Sequence, residues 1–260
     1  MSRNTWAVLV LSLLGVAVSA ENLAVQSAAE RTNADAEELA KLLAIARKSK
    51  SASREYSAEL DISRHPYIGA VDAPLVMIEF GSYQCGFCRR HFAHTLPELR
   101  SAYVDTGKLR YVFFDVALDK RHQHSEIAAE SAHCANEQGK FLAYRTALFG
   151  SKQVSSECMS KHAIAVGLNM AKFDRCVETG RYRAQLQADR TLSRKLQVRG
   201  TPSFFLGRQQ PNGASVTVVR RIGGARSSAV FSQQLDALYA ELPMGRDSEV
   251  SVARPDSEWP

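Results

Sequence analysis

The chain has 260 residues, 45% hydrophobic and 23% charged, which excludes a disordered or fibrous protein and allows one good core with an insertion or two small domains. The formal charge is +6. The basic residues are dispersed, with no dense Lys/Arg block interleaved with aromatics, so they read as a solvated surface and not as a nucleic-acid site.

Arg3 opens a positive n-region, and Trp6 to Val18 is an apolar run of about a dozen residues broken once by Ser12. Val18-Ser19-Ala20 offers small residues for cleavage. The run falls short of about 30 Å of hydrocarbon, so residues 1–20 read as a cleaved secretory signal, with an uncleaved anchor as the alternative. Either way the folded part sits outside the cytosol, where disulfides persist. Residues 21–60 are polar and alanine-rich, and Ala36 to Ala46 is good helix material, with Asp35 as a cap and Leu39, Leu42, Leu43 and Ala46 on one face. Lys48 to Ser53 then reads as a loop. This stretch predicts a helical arm, either loosely attached or oligomerising.

His65-Pro66-Tyr67-Ile68-Gly69 and Asp72-Ala73-Pro74 are turn signals ahead of a strand over 75–80. A helix is predicted from Arg89 to Tyr103, then a strand over Leu109 to Val116. The helix between two strands makes a βαβ unit and implies parallel pairing. Residues 61–120 form the first part of this α/β domain. Residues 121–198 read as successive helices: His124 to Asn136, Phe141 to Leu148, Ser155 to Val166, Met170 to Glu178 and Arg181 to Leu196. Gly139, Gly150, Gly167 and Gly180 punctuate this helical insertion. Strands resume at Ser203 to Leu206 and Val216 to Arg220, with Pro211-Asn212-Gly213 as a hairpin turn. A closing helix, Ser228 to Glu241, completes the second α/β part, residues 199–242, and residues 243–260 read as a flexible tail.

The most informative motif is Cys85-Gly86-Phe87-Cys88, which follows the first strong strand and opens a helix. Residues i and i+3 are neighbours on a helical turn, so two thiols there can close a short disulfide. The free N–H groups and positive dipole end favour a thiolate at the first cysteine. Cys85 is therefore the attacking sulfur and Cys88 the buried resolving one. The competing reading is a zinc or copper site, because the spacing continues as Cys85, Cys88, His91, His94. On one helix it fails, since nine residues at about 100° each put Cys85 and His94 on opposite faces. No second CxxC or HxxxH completes a tetrahedral site. The reading therefore calls for no metal and no organic cofactor. A plain structural disulfide is the remaining alternative.

Two further features bear on the dithiol. Glu79 interrupts an apolar strand six residues before Cys85. Buried there, it would have a raised pKa and could accept or relay the proton of Cys88; the alternative is an exposed strand position. Thr201-Pro202 follows Val198-Arg199-Gly200 and starts a strand, which suits a tight turn, cis or trans. Such a loop can lie against two sulfurs and present the Thr201 backbone to a substrate peptide as an added strand. The histidines at 65, 91, 94, 122, 124, 133 and 162 are scattered and read as surface or packing residues, with His91 near enough to Cys85 to modulate it.

Ala73-Pro74 through Phe92, including Glu79-Phe80 and Cys85 to Arg90, resembles the active-site segment of the DsbA-like thiol:disulfide oxidoreductases. Gly200-Thr201-Pro202-Ser203-Phe204 is similar to that family's cis-proline loop, and Ala128 through Phe141, with Cys134 and Gln138-Gly139-Lys140, to its helical insertion. The resemblance covers roughly residues 65–242. It implies an α/β thioredoxin fold with a helical domain inserted between the second and third core strands. It further implies Cys85 as nucleophile, Cys88 as resolving thiol, Glu79 as buried acid and Pro202 as cis. Gly86-Phe87 departs from the histidine found between the cysteines of the family's strong oxidases, and Thr201 resembles the disulfide isomerases and some copper-resistance relatives. A less stabilised thiolate makes a weaker oxidant, so Cys85 is expected to titrate between about 7 and about 3.5.

The five cysteines leave Cys134, Cys158 and Cys176 outside the motif. The resemblance implies a second disulfide within the insertion, with Cys134–Cys176 favoured, Cys134–Cys158 an alternative, and three separate thiols a further one. The function the resemblance implies is periplasmic introduction of disulfides into unfolded exported chains, with reoxidation by a quinone-linked membrane oxidase. The rivals are an isomerase or reductase kept reduced by a membrane donor and oligomerised through residues 21–60, and a copper- or zinc-handling protein.

Overall fold

The computed structural model describes residues 53–116, 124–151 and 154–242, together with Lys41 within a helix. The signal reading, most of the arm and the tail lie outside these residues. The described strands are β1 (Ser53–Asp61), β2 (Tyr67–Ile68), β3 (Leu75–Gly81), β4 (Leu109–Asp115), β5 (Ser203–Gln209) and β6 (Ser215–Gly223). They form one sheet in the order β1-β6-β5-β3-β4-β2. Only β3 and β4 pair in parallel, as expected for strands joined by a helical crossover.

Central β3 is buried along its whole length, and its alternate residues feed two cores. Val76, Ile78 and Phe80 face one cluster with Leu60, Ile62, Val112, Leu196 and Val198. Leu75 and Met77 face the other, with Cys88, Phe92, Tyr111, Phe113 and Phe204. Strand alternation puts Glu79 on this second face, beneath the helix that carries the cysteines.

That helix runs as α1 (Gly86–Arg90), a π-helical turn over His91–Thr95, α2 (Leu96–Leu99) and a second π turn over Arg100–Val104. Pro97 has no N–H to give the carbonyl four residues back, and the wider first turn, closed by the Leu96 N–H on the His91 carbonyl, takes up that loss. Between β4 and β5 lie α3 (Ser125–Asn136), α4 (Phe141–Gly150), α5 (Ser156–Ala165), α6 (Met170–Glu178) and α7 (Arg183–Lys195), and α8 (Ser228–Ala240) follows β6.

Two expectations are corrected. Residues 53–60 are not part of an arm or loop: they lie in β1, which pairs antiparallel with β6 from Ser53 opposite Ile222 to Asp61 opposite Ser215. The segment is polar and carries no clear alternation, and its pairing depends on a strand distant in sequence. Likewise Tyr67-Ile68, read as a turn, adds a two-residue edge strand to β4. In the insertion, a disulfide joins Cys134 on α3 to Cys176 on α6, with Cα atoms 5.9 Å apart. Cys158 is a free, half-buried thiol.

Candidate active site

Cys85 caps α1 from an extended conformation (φ −85°, ψ 116°), and its sulfur accepts from the Cys88 N–H at 3.4 Å. Its Sγ also lies 3.2 Å from the Thr201 carbonyl oxygen, to which the thiol donates. The Thr201–Pro202 peptide is cis, and it precedes β5. Cys85 is 8% exposed and Cys88 is fully buried, so an incoming sulfur meets Cys85 first.

The two thiols are electrostatically unequal. Cys85 is lowered from 9.0 to about 5, first by the hydrogen bond from the Cys88 thiol, then, against an opposing effect of burial, by the Thr201 side chain and the N–H groups of Cys88 and Phe87. Cys88 is pushed well above its usual value, chiefly by burial, then by its bond to Cys85 and by the Glu79 charge. Beside the pair, Phe87 is 58% exposed, with the Arg90 guanidinium 5.0 Å from its ring centre.

Glu79 is buried, and burial raises its pKa above the usual carboxylate value, opposed by Arg145 and Tyr111. Its Oε2 accepts from Tyr111 Oη at 3.0 Å and from Arg145 Nη2 at 3.1 Å. Its Oε1 has no hydrogen-bond partner. Gly81 makes room for that oxygen: a Cβ at residue 81 would stand 2.9 Å from it. Arg145 Nη1 reaches Asp115 Oδ1 at 3.0 Å and Tyr83 Oη at 3.3 Å, and Tyr83 donates to Asp115 Oδ2 at 3.0 Å. His91 Nε2 bonds Tyr111 Oη at 3.0 Å.

Sequence reasoning singled out Cys85, Cys88, Glu79, Thr201 and Pro202, and the fold places all five around the start of α1 and the adjoining strands. It missed Arg145, Asp115, Tyr83 and Tyr111. Arg145 did leave a trace, a lone charge in the apolar run Phe141-Leu142-Ala143-Tyr144-Arg145-Thr146-Ala147-Leu148-Phe149, but no local spacing ties it to residue 79. His91 is corrected as a modulator of Cys85. It is buried against Tyr111, Phe204 and Phe231 and lowered to about 3, first by burial and then by Arg145, so it is neutral and supplies no positive charge to a thiolate. His94, the fourth member of the metal-like string, is exposed. Among the described residues no group of three or more His, Cys, Asp or Glu is placed to share a metal ion. His65 stacks on Phe114 and pairs with Asp189, and His162 bonds Ser151, so both serve packing and surface order.

The chain combines a strand, a helix capped by the first of two cysteines and a cis-proline whose preceding residue contacts that cysteine, and residues 62–217 match the family model described as thioredoxin. The chain belongs to the thioredoxin family. Its fold is that of the DsbA-like members. It superposes on BdbD from Bacillus subtilis with a TM-score of 0.60 at 17% identity, covering 72% of this chain and 98% of that one. For alpha-DsbA1 of Wolbachia pipientis the TM-score is 0.57 at 24% identity, covering 68% and 91%. Among curated proteins, the Na(+)/H(+) antiporter NhaA 1 of Mycobacterium sp. strain KMS is 28% identical over 172 residues. That match spans 64% of this chain and 28% of the antiporter, well under a third of the relative's length. The probable disulfide bond formation protein D of Bacillus anthracis is 22% identical over 147 residues, 54% of this chain and 68% of that protein.

Proposed function

We propose that this protein is an exported, periplasmic thiol:disulfide oxidoreductase that introduces disulfides into unfolded exported chains. The observation that carries the reading is the inequality of the pair: a partly accessible Cys85 lowered to about 5, over a buried Cys88 held as a thiol. A substrate thiolate attacks Cys85 Sγ of the Cys85–Cys88 disulfide. The S–S bond breaks, a mixed disulfide forms on Cys85, and Cys88 leaves with the electron pair and takes up a proton. A second substrate thiolate attacks the substrate sulfur of the mixed disulfide and releases Cys85 as the thiolate. The substrate has lost two electrons, the protein has gained them, and a quinone-linked membrane oxidase would remove them.

Export is supported by the signal-like residues 1–20 and by the Cys134–Cys176 bond, a type of link that persists in oxidising compartments. Substrates would lie along Thr201-Pro202 and the exposed ring of Phe87. The test is the redox state of Cys85 and Cys88 in cells, read by acid quenching, mass-tagging of free thiols and intact mass. A mostly oxidised pair in an exported protein supports disulfide donation. A mostly reduced pair overturns it in favour of an isomerase or reductase fed by a membrane donor.

A further inference from the structure

Arg145 belongs to α4, inside the helical insertion, yet its guanidinium is 1% exposed and lies against the sheet. It is shared between two carboxylates on the same face of neighbouring parallel strands: Glu79 at 3.1 Å and Asp115 at 3.0 Å. Aromatic rings enclose it, Phe113 at 4.3 Å and Phe149 and Tyr83 at 5.0 and 5.2 Å. A charge placed so deep requires a partner, and removing one partner leaves the other uncompensated. The geometry also divides the labour of Glu79. Arg145 and Tyr111 hold Oε2, while Oε1 is buried and unpartnered.

The charged and titratable groups facing Glu79 are few. They are Arg145 from α4, Tyr111 and Asp115 from β4, and Cys85 at the start of α1; the Glu79 charge in turn pushes up the Cys88 thiol in the first turn of α1. Tyr83 bonds Arg145, and neutral His91 stands behind Tyr111. Of these, Arg145 is the one cation within hydrogen-bonding reach of Glu79 among the described residues. Asp115 acts on Glu79 in the opposite sense, as a like charge and by sharing the guanidinium.

We propose that Arg145 is a positioning residue which keeps Glu79 ionised, leaving Oε1 to take the proton of Cys88 as that thiol attacks a mixed disulfide, and that Asp115 moderates Arg145 by sharing it. The inference rests on the dithiol-exchange reading above. With reduced protein and oxidised glutathione the exchange takes two steps. The Cys85 thiolate attacks the glutathione disulfide and releases one glutathione thiolate. Cys88 passes its proton to Glu79 and attacks Cys85 Sγ, the mixed disulfide breaks, and a second glutathione thiolate leaves. Two electrons have moved from the protein dithiol to glutathione.

The experiment follows both steps in the full chain by acid quenching and intact mass across pH, in the wild type and in Arg145→Met, Asp115→Asn, Glu79→Gln and the Glu79→Gln/Arg145→Met double variant. Arg145→Met is expected to leave formation of the mixed disulfide near its wild-type rate and to prolong its lifetime about tenfold at pH 7. Its pH profile for the second step should move upward, because Glu79 then ionises less readily. Asp115→Asn should move the same profile downward, because one negative neighbour is gone and Arg145 is left to Glu79. Adding Arg145→Met to Glu79→Gln should change nothing further. A purely structural role would move both single variants the same way, and that result overturns the proposal, as do unmoved profiles or multiplying effects in the double variant. If Arg145→Met does not fold, Arg145→Lys and the opposite shift of Asp115→Asn carry the test. A wild-type protein that forms no mixed disulfide at all overturns the exchange chemistry and, with it, this assignment.

Discussion

Cys88→Ala, in a Cys158→Ser background that leaves a single titrating thiol, tests what holds the Cys85 thiolate. In the intact site the Cys88 thiol is the largest contributor to lowering Cys85 from 9.0 to about 5. A hydrogen bond to a charged group contributes about 1.5–3 kcal/mol, which is about one to two pH units. The Cys85 midpoint should therefore rise to about 6–7 in Cys88→Ala, while Cys88→Ser, which keeps a donor, stays near that of the wild type. The consequence for stability has a definite sign. Cys85 is depressed on folding, so its contribution to the reduced protein is complete above 9.0 and is lost as pH falls through about 5. At pH 7 the shift corresponds to about 2.7 kcal/mol at most, and screening by the solvent that Cys85 still meets leaves about 1–2 kcal/mol. That preference for the reduced form makes the disulfide more oxidising by about 20–40 mV. The assay is thiolate absorbance near 240 nm against pH, with alkylation rate as a second reading. If Cys88→Ala and Cys88→Ser share the wild-type midpoint, the N–H groups and the Thr201 side chain hold the thiolate, and the reasoning fails.

Three other outcomes are expected. Replacing Cys134 and Cys176 together by alanine opens a link between residues 42 apart and should cost about 4 kcal/mol in urea unfolding by the chain-entropy account; an unchanged urea midpoint would refute it. Phe204→Ala removes a fully buried ring that packs 4.8 Å from Phe231 and 4.5 Å from His91, a loss of about 3–5 kcal/mol measurable by the same unfolding. His91 is lowered from 6.5 to about 3 by burial and then by Arg145, so the stability it contributes is complete above 6.5 and is lost as pH falls toward about 3. The urea midpoint of His91→Gln should accordingly fall less between pH 7 and pH 4 than that of the wild type, and equal slopes would count against a buried neutral imidazole.

The legible parts of the site are those whose signals are short. Cys85-Gly86-Phe87-Cys88 lies within one helical turn, Glu79 stands out against apolar neighbours, and Gly200-Thr201-Pro202 announces a turn at the start of a strand. The helices of the insertion were legible because glycines and apolar periodicity bound them. β1 was illegible because its polar residues become a strand only opposite β6. His91 was misjudged because its distance from Cys85 along the helix says nothing of the face it takes, and that face meets Tyr111.

What the sequence determined by itself is therefore the dithiol, the order of the elements and the place of the insertion, all written in patterns a few residues long. The tertiary structure alone decided which groups set the protonation of those residues. Glu79 and Arg145, 66 residues apart, meet because strand alternation turns Glu79 beneath α1 and because α4 lays its one buried cation across β3 and β4. Such a pairing has no period in the chain, since it depends on how two separately patterned units pack against each other and exclude water from the charges between them.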